Sequence, residues 1–181
     1  MLGAVRHRGF IPWDDDVDVM LLRSEYERLL ALAGEADDGE HALVSLRDKT
    51  FARDYARYVW KSYGKEEKEV VSRDCPWLGV DIFPIDELPD SEEAFKKQLK
   101  DRWLWNAILI TCSSPVGAGS TPLKRMVRNM ARPFARAYGA FNAARKSEEI
   151  CRRFEGAGGK DIGIVCGMYG LRERWPRDQY E

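Results

Sequence analysis

The pattern of apolar and polar positions changes period several times along this chain, and each change predicts an element. Across residues 17–22 the side chains alternate as in a strand, with Asp16 and Asp18 on one side and Val17 and Val19 on the other. Ser24-Glu25-Tyr26-Glu27 then reads as a capping box, and Tyr26, Leu29, Leu30 and Ala33 recur at helical spacing up to a stop near Gly34. Residues 42–46 predict a second short strand. Residues 55–61 predict a third, with Tyr58 and Trp60 on one face, Val59 on the other, and a turn at Gly64. The charged stretch 65–74 reads as a loop. Residues 78–84 form an apolar strand with a single acid in its middle, where Asp81 shares a face with Phe83 while Val80 and Ile82 point the other way. Asp86, beyond Pro84, reads as turn chemistry.

The second half of the pattern is helical. Asp90 with Glu93 predicts the start of a long helix whose stripe is Phe95, Leu99, Trp103 and Leu104. Residues 113–121, rich in Gly, Ser and Pro, predict a loop, and 123–154 predict one or two helices broken at Pro133 or Gly139. Arg125, Arg128, Arg132 and Arg136 recur at a spacing that places them on one face. That face suits an anionic lipid surface or a polyanionic glycan, or is simply solvated. The tail 156–181 holds turn residues and a short apolar run at 162–166.

Composition narrows the class. A chain of 181 residues with 44% hydrophobic content is long enough for one globular domain with a core. Lys and Arg number 29 against 30 Asp and Glu, a balance that argues against a general nucleic-acid binder. No apolar run reaches the roughly 20 residues of a membrane span, and the nearest, 104–112, is interrupted by Asn106 and Thr111. No signal-peptide pattern opens the sequence. Cys75, Cys112, Cys151 and Cys166 are scattered without C-x-x-C spacing, and only His7 and His41 accompany them, so the thiols read as core residues of a protein in the reducing cytoplasm.

The candidate chemistry lies in Gly9-Phe10-Ile11-Pro12-Trp13-Asp14-Asp15-Asp16-Val17-Asp18-Val19, where four carboxylates occupy five positions. An acidic run is usually a solvated loop. Here Phe10 to Trp13 precede it and Val17, Val19, Met20, Leu21 and Leu22 follow, so the backbone enters a buried strand at once and the acids need partners. Asp16 and Asp18, on one side of the strand, suit a shared Mg²⁺ or Mn²⁺ that bridges to a substrate phosphate, as in phosphoryl or nucleotidyl transfer. If the strand 78–84 lies alongside, Asp81 joins them. The other readings of Asp81 are an edge-strand acid or a partner for an arginine.

Residues 6–18 as a block, Ser24-Glu25-Tyr26, and Gly79-Val80-Asp81-Ile82-Phe83-Pro84-Ile85-Asp86 together resemble the LicD family, which includes phosphocholine transferases of surface polysaccharides and resembles fukutin-related ribitol-phosphate transferases. The resemblance implies an α/β (α+β) fold, a nucleotidyltransferase-like mixed sheet flanked by helices with a helical C-terminal part. It implies a core at 1–112 carrying the metal site, extended by 113–181 within the same domain. It matches Asp16 and Asp18 to the metal-binding pair and Asp81 to a third acid. Leu2, Gly3, Arg6 and His7 correspond to the end of the loop that precedes the pair, and Lys61 to a position often basic. It further implies a CDP-activated alcohol as donor, a glycan or glycolipid hydroxyl as acceptor, CMP as product and Mg²⁺ or Mn²⁺ as cofactor; the arginine stripe, not the resemblance, suggests peripheral contact at the inner, cytoplasmic face of the membrane. Arg6 suits two-pronged phosphate contact and Lys61 a point charge, though either also suits pairing with the acids, and His7 suits a structural hydrogen bond. Members usually carry a helix and a Gly-Gly or Gly-Ser/Thr element before this motif. Here the chain opens at Met1-Leu2-Gly3, so it reads as the middle of a longer protein, and an inactive nucleotide- or glycan-binding relic, or nucleotidyl transfer to another acceptor, stays open beside phospho-alcohol transfer.

Overall fold

A computed structural model describes residues 5–9, 17–64, 75–167 and 173–180. Its centre is the long strand β4 (Trp77–Glu87), which organises a six-stranded mixed sheet. β1 (Asp18–Leu22) pairs with β4 in parallel, while β2 (His41–Val44), β3 (Ala56–Gly64), β4, β5 (Asp161–Gly163) and β6 (Trp175–Pro176) follow one another antiparallel. Helix α1 (Arg23–Ala31) follows β1 directly, and α2 (Glu92–Ser113), α3 (Pro122–Tyr138) and α4 (Ala140–Cys151) form the helical part. The architecture is α+β, as the family resemblance implies.

The pleat of β4 divides the core in two. Ile82, with Leu43, Ala56 and Leu21, packs beneath Tyr26, Leu29 and Leu30 of α1. Phe83 and Ile85 point the other way, toward Phe95 of α2, Cys151 of α4, and Ile162 and Val165. That second cluster, and one joining Ala52 to Leu109, Ala135 and Ala144, draw on residues from both sides of position 113. Full burial of each such side chain as Leu88, Phe95 or Leu109 contributes roughly 1.5–3 kcal/mol relative to exposure. Gly79 is required by the sheet itself, since a Cβ there would stand 2.3 Å from the Tyr58 carbonyl oxygen.

Several local expectations are corrected. Helix α1 begins at Arg23 with Leu22 at its N-cap and no side-chain cap, so Ser24 does not cap it. The reason lies inward: Arg23 turns to Asp86, donating from Nε at 2.7 Å and Nη2 at 2.9 Å. Asp86 is therefore no turn residue; it sits within β4 and is only 2% exposed. Burial pushes its carboxyl above the ordinary value, and the Arg23 fork pulls it back. At α2 the cap is Ser91, whose Oγ accepts from the Ala94 N–H, while Asp90 accepts from the Lys160 N–H instead. Trp103 and Leu104 point to solvent at 67% and 53% exposure, and the inward positions include Gln98 and Arg102. These polar side chains are buried because they have partners: Gln98 donates to the Ile150 carbonyl at 2.9 Å. Arg102 pairs with Asp54, which also accepts from Ser147 Oγ at 2.6 Å. The helical break falls at Gly139, whose φ of +94° favours glycine, while Pro133 is carried inside α3.

All four cysteines are free and buried. Burial raises the Cys151 and Cys166 thiols well above their usual range. In the native protein neither will react with a thiol-specific reagent at neutral pH, and both will react once denaturant is added. Labelling of either at the rate of a free thiol under native conditions contradicts this packing.

Candidate functional site

The parallel pairing of β1 with β4 places Asp18 directly beside Asp81. Register partners in adjacent strands lie about 4.8 Å apart and project from the same face. The ladder continues one step further, where the Asp81 N–H donates to the Val17 carbonyl at 3.1 Å. On the other edge of β4 the partner of Asp81 is Arg57 of β3. One transverse row of the sheet thus reads Asp18, Asp81, Arg57.

Arg57 grips Asp81 with two parallel bonds, Nε to Oδ1 and Nη2 to Oδ2, the latter at 2.9 Å. Both side chains are mostly buried, at 12% and 16% exposure. Burial opposes the charge on Arg57, but the hydrogen bonds and the charge of Asp81 outweigh it and raise its pKa. The guanidinium also lies over the Phe51 ring, 5.2 Å from the centroid. On this side of the sheet Tyr55 meets Phe51 edge to face and Phe83 at a tilt. Tyr55 is held protonated far above its ordinary value by burial, with the Asp81 charge adding to the effect. Arg57 Nη1 is buried and has no hydrogen-bond partner among the described residues.

Asp16 and Gly3 lie outside the described residues, as do Leu2, Asp14 and Asp15. Arg6 and His7 are described in the short segment 5–9, Arg6 exposed and His7 half-buried. Lys61 donates from Nζ to Asp37 Oδ1 at 2.8 Å. It stands four residues along β3 from Arg57, roughly 13 Å at the rise of a strand. The residue that sequence reasoning missed is Arg57, although a signal was available: a lone arginine on the Val59 face of the strand, opposite Tyr58 and Trp60. On that opposite face Tyr58, Trp60, Tyr63, Leu78 and Val80 line an open groove of about 530 Å³, away from the row of charges.

The donor set of the row suits a hard divalent cation. Among the described residues no group of three metal-type side chains converges; Asp18 and Asp81 supply two carboxylates, and Arg57 takes one lone pair on each Asp81 oxygen, leaving the others to ligate. Two carboxylates on neighbouring strands match the way Mg²⁺ is held between a protein and phosphates.

The family model described as LicD/FKTN/FKRP, nucleotidyltransferase domain, matches residues 1–107. The chain belongs to the LicD family. The matched region runs from the segment before β1 through β4 and most of α2, so the Asp18, Asp81, Arg57 row lies inside the family's domain. A stretch of 30 residues is 60% identical to the lipopolysaccharide cholinephosphotransferase LicD of Haemophilus influenzae, covering 17% of this chain and 11% of that protein. No solved structure matches. Among the described residues no helix is long and apolar enough to cross a membrane.

Proposed function

We propose that this LicD-family chain is a metal-dependent phosphotransferase. It moves a phospho-alcohol such as phosphocholine from a CDP-activated donor to a sugar hydroxyl of a cell-surface glycan and releases CMP. The reading is carried by one observation, the placement of Asp18 beside Asp81 on adjacent strands within the family's domain. The name of the Haemophilus relative supports the choice of phosphocholine.

In this reading Asp18 and Asp81, with Asp16, would hold Mg²⁺ or Mn²⁺. Bound there, the cation would supply charge neutralisation for the phosphoryl group and for the departing CMP. The chain's own residues do the rest. Arg57 fixes the orientation of Asp81 through its two bonds, so the carboxylate meets the site already aligned. Its remaining Nη1 donates to a non-bridging phosphate oxygen, which gives a buried donor its partner. The sugar oxygen attacks the alcohol-bearing phosphorus, the bridging P–O bond breaks, CMP carries away that oxygen, and the hydroxyl proton leaves to a carboxylate of the row. Arg6 and Lys61 are assigned to donor binding.

Incubation with CDP-choline, Mg²⁺ and an acceptor glycan tests the proposal. CMP release that stops on chelation and returns with added metal is the expected result. Nucleotide binding without release favours the inactive relic, and a product mass that retains the nucleotide on the acceptor favours nucleotidyl transfer; either outcome removes the reading.

A further inference from the structure

Helix α3 is folded with its polarity reversed. Leu123, Met126, Val127, Met130 and Phe134 recur three or four residues apart and share one face, yet they are 64%, 55%, 55%, 69% and 78% exposed. The side turned to the protein carries Ala135 and Arg132, at 7% and 5% exposure. The loop before the helix explains the reversal. Arg132 Nη2 donates to the Pro115 carbonyl at 2.6 Å and Arg128 Nη1 to the Ala118 carbonyl at 3.2 Å. The arginine face expected to be solvated or to meet a surface is thus partly consumed in tying down residues 115–118, and the apolar face is left outward. A row of large apolar side chains facing water marks an interaction surface rather than a core.

Charge identifies the partner. The 17 residues of α3 contain no Asp or Glu and five cations, Lys124, Arg125, Arg128, Arg132 and Arg136. Lys124, Arg125 and Arg136 are exposed and make no ion pair with the described residues. At 100° per residue Lys124 lies at one margin of the apolar row, while Arg125 and Arg136 lie toward the arginine side of the helix with Arg128 and Arg132. A second copy of the chain docking through this face about a two-fold axis would bring together two helices that each carry five cations and no acid, which disfavours self-association. An outward apolar face on a helix with five cations and no acid fits the boundary of an anionic bilayer, where the apolar row sinks among the acyl chains and the positive charge draws the helix to lipid phosphates. We propose that α3 is an in-plane membrane-binding helix that seats the protein on anionic lipid. The inference does not depend on the transfer reaction, since binding is read without turnover.

The test is sedimentation of the purified chain with vesicles of phosphatidylglycerol and phosphatidylcholine, and with phosphatidylcholine alone. Expected is binding to the anionic vesicles that weakens with salt. Partitioning falls at least about tenfold in the Met130→Glu, Phe134→Glu double variant and about fivefold per charge removed in Lys124→Gln, Arg125→Gln and Arg136→Gln. These side chains are exposed, so circular dichroism and thermal unfolding should match the parent. If the double variant loses structure, the glutamine variants decide alone. Absence of binding to anionic vesicles at low ionic strength overturns the proposal. So does binding indifferent to both sets of variants, or a dimer that Phe134→Glu abolishes in a protein that ignores vesicles.

Discussion

Asp18→Asn and Asp81→Asn will each lower turnover of a CDP-activated donor by on the order of 10³-fold, the scale on which loss of a group neutralising phosphoryl charge is felt. The two variants differ in what else they disturb, and that difference makes the result interpretable. Asp18 is on the exposed end of β1, so its amide isostere strips no buried arginine of its partner and will shift thermal unfolding less than Asp81→Asn does. Asp81 is gripped by Arg57 at both oxygens, so its replacement also converts charge-assisted bonds to neutral ones and costs about 1–3 kcal/mol of stability. Arg57→Lys keeps a cation but loses the two-pronged geometry, and its turnover will fall about 10–100-fold, as for groups that orient a ligand. Raising Mn²⁺ restores part of the rate in Arg57→Lys if orientation of Asp81 is its task. Wild-type CMP release by Asp18→Asn, in a protein shown to be folded, removes the metal site from the mechanism.

How much of this was legible before the structure depends on whether the information is local. Alternation within 17–22 and within 78–84 separates Asp18 and Asp81 from their apolar neighbours, because the side-chain period of a strand is a property of the strand alone. That the two acids share a row is a matter of register between segments some 60 residues apart, which no local pattern fixes; here the family motif carried the expectation and the parallel ladder supplies the geometry. Arg57 shows the intermediate case. Its parity with Val59 was readable, but its pairing across to Asp81 was not. The buried charges were least legible. Asp86 beyond a proline looks like a turn, and Gln98 and Arg102 look like the solvent side of a helix, until partners 63, 52 and 48 residues distant in sequence are supplied. On α3 the amphipathic period was plain, but which side faces the protein was decided by two carbonyl groups of the preceding loop.

Arg23→Ala will be among the most damaging single substitutions, at about 3–5 kcal/mol, the cost of leaving a buried charge without its partner. Measured against a total of roughly 5–15 kcal/mol for a domain, that is about a fifth of the stability at the least. The reverse change, Asp86→Ala, will cost less. Arg23 keeps Glu27 at 3.5 Å and Glu148 at 3.8 Å from Nη1, whereas Asp86, 2% exposed, has no other cation hydrogen-bonded to it among the described residues. The same asymmetry fixes the pH dependence. Burial raises the Asp86 carboxyl above its ordinary value of 3.8, and in Arg23→Ala the fork that opposed this is gone. A carboxyl whose folded pKa exceeds its unfolded one takes up its proton first in the folded state, so the variant regains stability as pH falls from neutral through the raised value toward 3.8. Urea titrations of Arg23→Ala at pH 7 and at a moderately acidic pH will show the midpoint rising on acidification relative to the parent. A deficit independent of pH would mean that the lost packing of the guanidinium, and not the stranded carboxylate, accounts for the damage.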